Sequence, residues 1–345
     1  MLPNFLYALF LLRKVRNDTR LATDQGRAAA SVGQEIDRCG VTVPRDSSDA
    51  SVGRANVQEA RYAWAFGATT GNRMTRRHTY VGKPRLLHQV IEPRMLLELA
   101  TLPWNLPMLA RTPRGDGHPV LLFPGFMADE STLIVLKLFL QNRGYEVQTW
   151  GFGRNVGFNS RHASALEQKI RYMHYKSGRK VSLVGWSLGG MFAMYGAHEA
   201  TECVRSVITL GSPVTFDPEG SQSPPLVKAL YRLISHPMGT TAHLTQSRAK
   251  YLRRPKTLPV PISCIYSVAD GVVPPQEATI DGNRALHENI RVPGSHLGLG
   301  FNPLVLWVVA DRLAQPEGQW RPFVPPAGLL GRIYRLTTSQ RPVPA

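Results

Sequence analysis

A mostly parallel α/β sheet covered by helices on both faces is the fold class this sequence predicts, and three observations predict it. From Pro119 onward, short apolar runs alternate with helical stretches of the length a crossover needs. One run, Val181 to Val184, passes through Gly185-Trp186-Ser187-Leu188-Gly189 into Gly190-Met191-Phe192-Ala193, which reads as strand, tight turn and small-residue helix start. The alternation is interrupted between Pro213 and Pro259 and then resumes, the pattern of an insertion laid over a continuing sheet.

The elements follow in order. Val120-Leu121-Leu122-Phe123 is a buried strand ended by Pro124-Gly125-Phe126-Met127. Asp129 or Ser131 then caps a helix running to about Arg143, where Gly144 stops it. Tyr145 to Trp150 is the next strand, residues 151–157 are a loop, and a polar helix covers roughly 162–177. The glycine-flanked strand follows, then its helix to about Ala200 and the strand Val204 to Leu210. The interval of about 214–258 is proline-rich at both ends and holds Leu226, Leu230, Leu233 and Ile234 at helical spacing, as a short cap would. That stripe is an acyl-contacting face or the cap's own packing surface. Strands return at Val260 to Tyr266 and Asn289 to Val292, and a final helix spans Pro303 to about Leu313. The tail beyond Pro316 is proline-rich and laid on the surface.

Residues 1–94 stand apart. Residues 13–85 carry few apolar clusters and no sustained period of 2 or 3.6, so this stretch has too little apolar surface to offset its ordering entropy. It is expected to be a poorly structured extension, or upstream sequence preceding a true start at Met95, with the folded domain at 95–345. At 345 residues and 43% hydrophobic content the chain can bury a full core. Its net charge of +17 is spread along the chain without a block of five basic residues, so no nucleic-acid tail is indicated. Cys39, Cys203 and Cys264 lack metal-ligand spacing. No metal site and no cofactor is expected. The apolar run Phe5 to Leu12 is too short to span a membrane, and its positive charges follow it instead of preceding it. No integral membrane segment is expected, and the compartment expected is the cytoplasm. Oligomeric state is left open.

The turn at Ser187 carries the chemistry. Glycines at 185 and 189 admit a turn tight enough to lift the Ser187 hydroxyl above the sheet. A serine hydroxyl needs a base to take its proton and an acid to orient that base. In this architecture both follow on loops at the carboxyl ends of later strands, where open α/β sheets bind their ligands. Asp270 follows the Val260 to Tyr266 strand, and His296 follows the last strand. Asp217 is the main rival acid and Asp281 a weaker one. Among histidines, His287 precedes the last strand, and His236 and His243 lie in the cap. The backbone amides of Leu188 and Phe126 are the expected oxyanion donors. Met127 and Trp186 are the expected pocket residues beside them. Arg154-Asn155 reads as a loop tie at the strand end more readily than as a carboxylate site.

Across residues 117–315 the chain resembles the α/β-hydrolase superfamily, and within it bacterial lipase- or esterase-like serine hydrolases. The resemblance rests on Leu122-Phe-Pro-Gly-Phe126, Trp150-Gly-Phe-Gly-Arg-Asn155, Gly185-Trp-Ser-Leu-Gly189, Tyr266-Ser-Val-Ala-Asp-Gly271 and Gly294-Ser-His-Leu-Gly298. Many relatives carry His-Gly after the oxyanion strand; here Pro124 stands in place of that histidine, and an amide donor is unaffected. The resemblance implies a small-molecule or lipid ester as substrate and an acyl-enzyme intermediate on Ser187. Acyl transfer to an alcohol and cofactor-free peracid formation use the same triad. A catalytically silent binding module on this fold is the alternative from a different class.

Overall fold

The computed structural model describes residues 86–157, 160–214, 224, 258–280, 285–328 and 331–332. The chain divides into two compact units, Met1–Tyr80 and Val81–Ala345, and every described residue lies in the second. Apart from residues 214, 224 and 258, the predicted cap, with its leucine stripe, falls outside the described residues, as do Asp217, Asp281, His236, His243 and Cys39.

Among the described residues six strands form one sheet, all pairs parallel. They are β1 (Pro119–Phe123), β2 (Glu146–Thr149), β3 (Val181–Trp186), β4 (Val204–Leu210), β5 (Ile262–Tyr266) and β6 (His287–Arg291), in the spatial order β2-β1-β3-β4-β5-β6. Among the described residues six α-helices accompany them: α1 (Leu86–Val90), α2 (Met95–Leu109), α3 (Ile134–Asn142), α4 (Ser160–Ser177), α5 (Leu188–Glu199) and α6 (Pro303–Leu313).

Alternation along each strand divides the core in two. Val120, Leu122, Val184, Ile208, Leu210, Ile265 and Ile290 face one layer with Leu136 and Leu140 of α3 and Val305, Leu306 and Val309 of α6. Leu121, Phe123, Val181, Leu183, Val207, Ile262 and Cys264 face the other, packed on Leu166 and Ile170 of α4 and Phe192, Ala193 and Ala197 of α5. Parallel strands buried on both faces read as continuous apolar runs, and β1 and β3 are buried at every position. Cys264 is fully buried, and burial pushes its thiol up to about 12, which makes it a small core hydrophobe.

Predicted boundaries shift by a few residues. The helix after β1 opens as a 3-10 turn, Glu130–Leu133, whose N-cap Asp129 accepts from the Ser131 amide, before α3 begins. The proline-rich tail is anchored: the Phe323 amide donates to Glu288 Oε2, and the Phe323 side chain is buried.

The described structure starts at residue 86, ahead of the composition break at residue 94. Leu86–Val90 and the 3-10 turn Glu92–Arg94 precede α2, which runs through Pro103 and Pro107. Among the described residues no helix is long and apolar enough to cross a membrane.

Candidate active site

The parallel register brings the ends of β1, β3, β4, β5 and β6 to one edge of the sheet: Phe123 pairs with Gly185, Trp186 with Leu210, Leu210 with Ile265, and Tyr266 with Arg291. Ser187 follows β3 directly and is the N-cap residue of α5, with φ 54° and ψ −125°. For a residue with a side chain this conformation stores about 1–3 kcal/mol of strain and persists only where its surroundings enforce it. Two glycines do so here. A Cβ at Gly185 would strike the Gly189 carbonyl and Gly190 Cα, and one at Gly189 would strike the Phe123 and Pro124 carbonyls. Helix α5 therefore starts hard against both β3 and the turn after β1. Gly125 approaches from that side less closely, since a Cβ there would lie 3.3 Å from Ser187 Cβ.

Three of the predicted residues meet. Ser187 Oγ lies 2.9 Å from His296 Nε2, and His296 Nδ1 lies 2.7 Å from Asp270 Oδ2. The other carboxylate oxygen of Asp270 accepts from the Val272 and Val273 amides, both at 2.8 Å. Asp270 is 2% exposed and His296 3%, so the pair is withdrawn from water, while Ser187 is half-buried. Burial opposes a charge on His296, but the charge and hydrogen bond of Asp270, with the charge of Glu92, outweigh it and raise the imidazole above its ordinary value. Gly211, at φ 55°, passes beneath this pair; a Cβ there would sit 3.0 Å from Asp270 Oδ2 and 3.2 Å from His296 Nδ1.

The turn after β1 is tied down by Asn155. This side chain is fully buried, donates from Nδ2 to the Pro124 carbonyl at 2.8 Å and accepts from the Gly157 amide at 3.2 Å. Its backbone holds the same turn, donating to the Ala128 carbonyl and accepting from the Met127 amide. Phe126 lies between these anchors, and Leu188 opens α5, where helix geometry leaves the first amides without intrahelical acceptors. Met127 has φ 61° and is 37% exposed. Trp186 is buried, and its indole Nε1 donates to the His296 carbonyl at 3.1 Å.

His287, at the start of β6, lies at the opposite sheet edge, with Nε2 3.2 Å from the Leu258 carbonyl. Among the described residues no three His, Cys, Asp or Glu side chains are grouped so as to hold a metal. One feature had no signal in the sequence: Glu92, whose carboxylate contacts the amides beside both Asp270 and His296.

No family model matches the chain. A curated relative, the pimeloyl-(acyl-carrier protein) methyl ester esterase of Citrobacter koseri, is 33% identical over 104 residues, which are 30% of this chain and 40% of that protein. Among solved structures, Aspergillus fumigatus lipase B is 18% identical with a TM-score of 0.47, over 59% of this chain and 53% of that one. The mature form of Bacillus licheniformis lipase BlEst2 is also 18% identical, with a TM-score of 0.43 over 59% of this chain and 95% of that one. The chain thus spans less than two thirds of both the curated relative and the Aspergillus lipase. A parallel sheet whose third strand in spatial order feeds a strained serine into the head of a helix, with an aspartate and a histidine delivered from the last two strands, is the α/β-hydrolase fold, and this chain has it.

Proposed function

We propose that the chain is a serine hydrolase that cleaves carboxylic esters through an acyl-enzyme intermediate. The continuous hydrogen-bond chain from Ser187 Oγ through His296 to Asp270, at 2.9 and 2.7 Å, carries this reading. With Nδ1–H donating to Asp270, the Nε2 lone pair of His296 is left to accept the Ser187 proton. Ser187 Oγ attacks the ester carbonyl, and the oxyanion that forms accepts from the Leu188 and Phe126 amides. Each such donor contributes about 2.7–4 kcal/mol to the transition state. His296 then returns the proton to the departing alcohol, leaving the acyl group on Ser187. Water enters, gives its proton to His296 and attacks the acyl carbonyl, and as the intermediate collapses His296 passes that proton to the departing Ser187 Oγ and the acid is released.

Two exposed apolar side chains adjoin this machinery in the chain: Met127 follows the Phe126 donor, and Leu297, 38% exposed, follows the base. They favour an ester with an apolar acyl group. Trp186, committed to the His296 carbonyl, is the less accessible of the two predicted pocket residues. The curated relative named as a methyl ester esterase fits the same chemistry.

Turnover of a panel of p-nitrophenyl esters from acetate to palmitate tests the reading. Ser187→Ala is expected to abolish turnover while the circular dichroism spectrum is retained. Activity undiminished in that variant would refute it.

A further inference from the structure

The acid loop and the base loop of the site are joined by a segment that lies outside the sheet. Glu92 is 6% exposed. Its Oε1 accepts from the Gly271 amide at 2.8 Å and from the His296 amide at 3.0 Å, and its Oε2 accepts from the Leu297 amide at 3.1 Å. Gly271 follows Asp270, so one carboxylate holds the backbone beside the acid and the backbone of the base itself. Arg94 repeats the bridge with the opposite polarity. Its Nη2 donates to the Ala269 carbonyl at 2.6 Å and the Gly294 carbonyl at 3.0 Å, again one on each loop. Behind them Glu98 accepts from the Ser295 amide at 2.7 Å and lies 3.8 Å from Arg94 Nε. The loops fit against this segment with no spare room, because a Cβ at Gly271 would lie 2.7 Å from the His88 carbonyl oxygen.

We propose that Glu92 is a positioning residue for the hydrolytic reaction: its carboxylate locks the Asp270 loop to the His296 loop and places a second negative charge beside the imidazolium formed in each step. This rests on the reading of Ser187, Asp270 and His296 given above. Buried amide donors that lose their acceptor carry a desolvation penalty, and a displaced base loses catalytic efficiency steeply with distance. The charged groups facing His296 from the elements packed against it are Asp270 on the acid loop and Glu92 in the 3-10 turn. Arg94 and Glu98 are turned toward each other and toward the loop backbones. Removing the charge of Glu92 therefore leaves Asp270 alone to favour the imidazolium.

Two substitutions in the full-length chain separate reach from charge. Glu92→Gln keeps the length, removes the charge, and sets an amide NH2 against the Leu297 N–H. It is expected to lower kcat about 10-fold or more, with a smaller change in KM. It should also displace the acid limb of kcat/KM to lower pH, and lower the titration midpoint of the His296 ring read by NMR in a Ser187→Ala background. Glu92→Asp keeps the charge and loses the reach, so kcat should fall while the His296 midpoint stays nearer that of the parent. Rates are referred to sites titrated with a fluorophosphonate, which removes misfolded protein from the comparison. An unchanged kcat and an unchanged His296 midpoint in folded Glu92→Gln would overturn the proposal. So would failure of both variants to fold, which would make Glu92 a purely structural residue. The NMR titration needs no turnover, so it still reads Glu92 if the hydrolase reading itself fails through activity surviving Ser187→Ala.

Discussion

Ser187 and His296 are held in opposite ways, and the proposed reaction draws on both. Ser187 is forced into a left-handed backbone conformation by glycine contacts on two sides. His296 is held by hydrogen bonds at its ring, its amide and its carbonyl. The consequence for pH follows from the direction of the imidazole shift. The proposed acylation needs neutral His296, and the Asp270 and Glu92 charges raise the pH at which it loses its proton. The acid limb of kcat/KM, which reports the free enzyme, is expected above the ordinary histidine value of about 6.5, with activity rising as pH rises through it. A pH profile on a soluble p-nitrophenyl ester checks this, and a limb well below that value would contradict the assignment of His296 as base.

At the scale of elements, what matters is how the turn after β1 is fixed over the head of α5. Asn155 ties that turn from beneath through Pro124 and Gly157. Asn155→Ala leaves both groups without their partner and lets the Phe126 amide move. The variant is expected to lose about 1–3 kcal/mol of stability and roughly 10-fold in kcat as an oxyanion donor drifts. Urea midpoints and ester kinetics measure the two losses separately. The sheet elements were legible because β1, β3, β4 and β5 are largely apolar runs, and Pro124-Gly125, Gly185 and Gly211 mark the turns at the ends of the first three. Helix α2 was not. Leu96, Leu97, Leu99 and Trp104 are exposed, so its apolar residues do not collect on one buried face. Pro103 and Pro107 also argue against a helix interior. Glu92 was illegible for a different reason. Its partners are backbone amides roughly 180–205 residues further along, and such a contact leaves no spacing or residue pattern to read.

Over the whole molecule, polar groups are gathered at both edges of the sheet, with different results. At the edge opposite the site, fully buried His118 lies 2.6 Å from Asp116 Oδ1 and 2.9 Å from Ser182 Oγ, while Arg205 Nη1 donates to Asp116 Oδ2 at 2.8 Å. Burial pushes the His118 imidazole down to about 4 against the pull of Asp116. Burial would also raise the Asp116 carboxyl, but hydrogen bonds from Arg205 and His118 hold it well below the usual carboxylate range. Ser182 and His118 are fully buried while Asp116 is exposed, so this hydroxyl and imidazole tie the approach to β1 onto β3 out of a substrate's reach. At the other edge Ser187 is half-buried, strained and hydrogen-bonded to His296, an imidazole whose proton affinity is raised. Covalent labelling with a fluorophosphonate probe reads that difference between the two serines, because the probe reacts only with an activated serine. Intact-mass and peptide mapping are expected to find one adduct, on Ser187, absent from Ser187→Ala and suppressed in His296→Ala. A folded protein that takes no label, or takes it at another residue, would contradict the account.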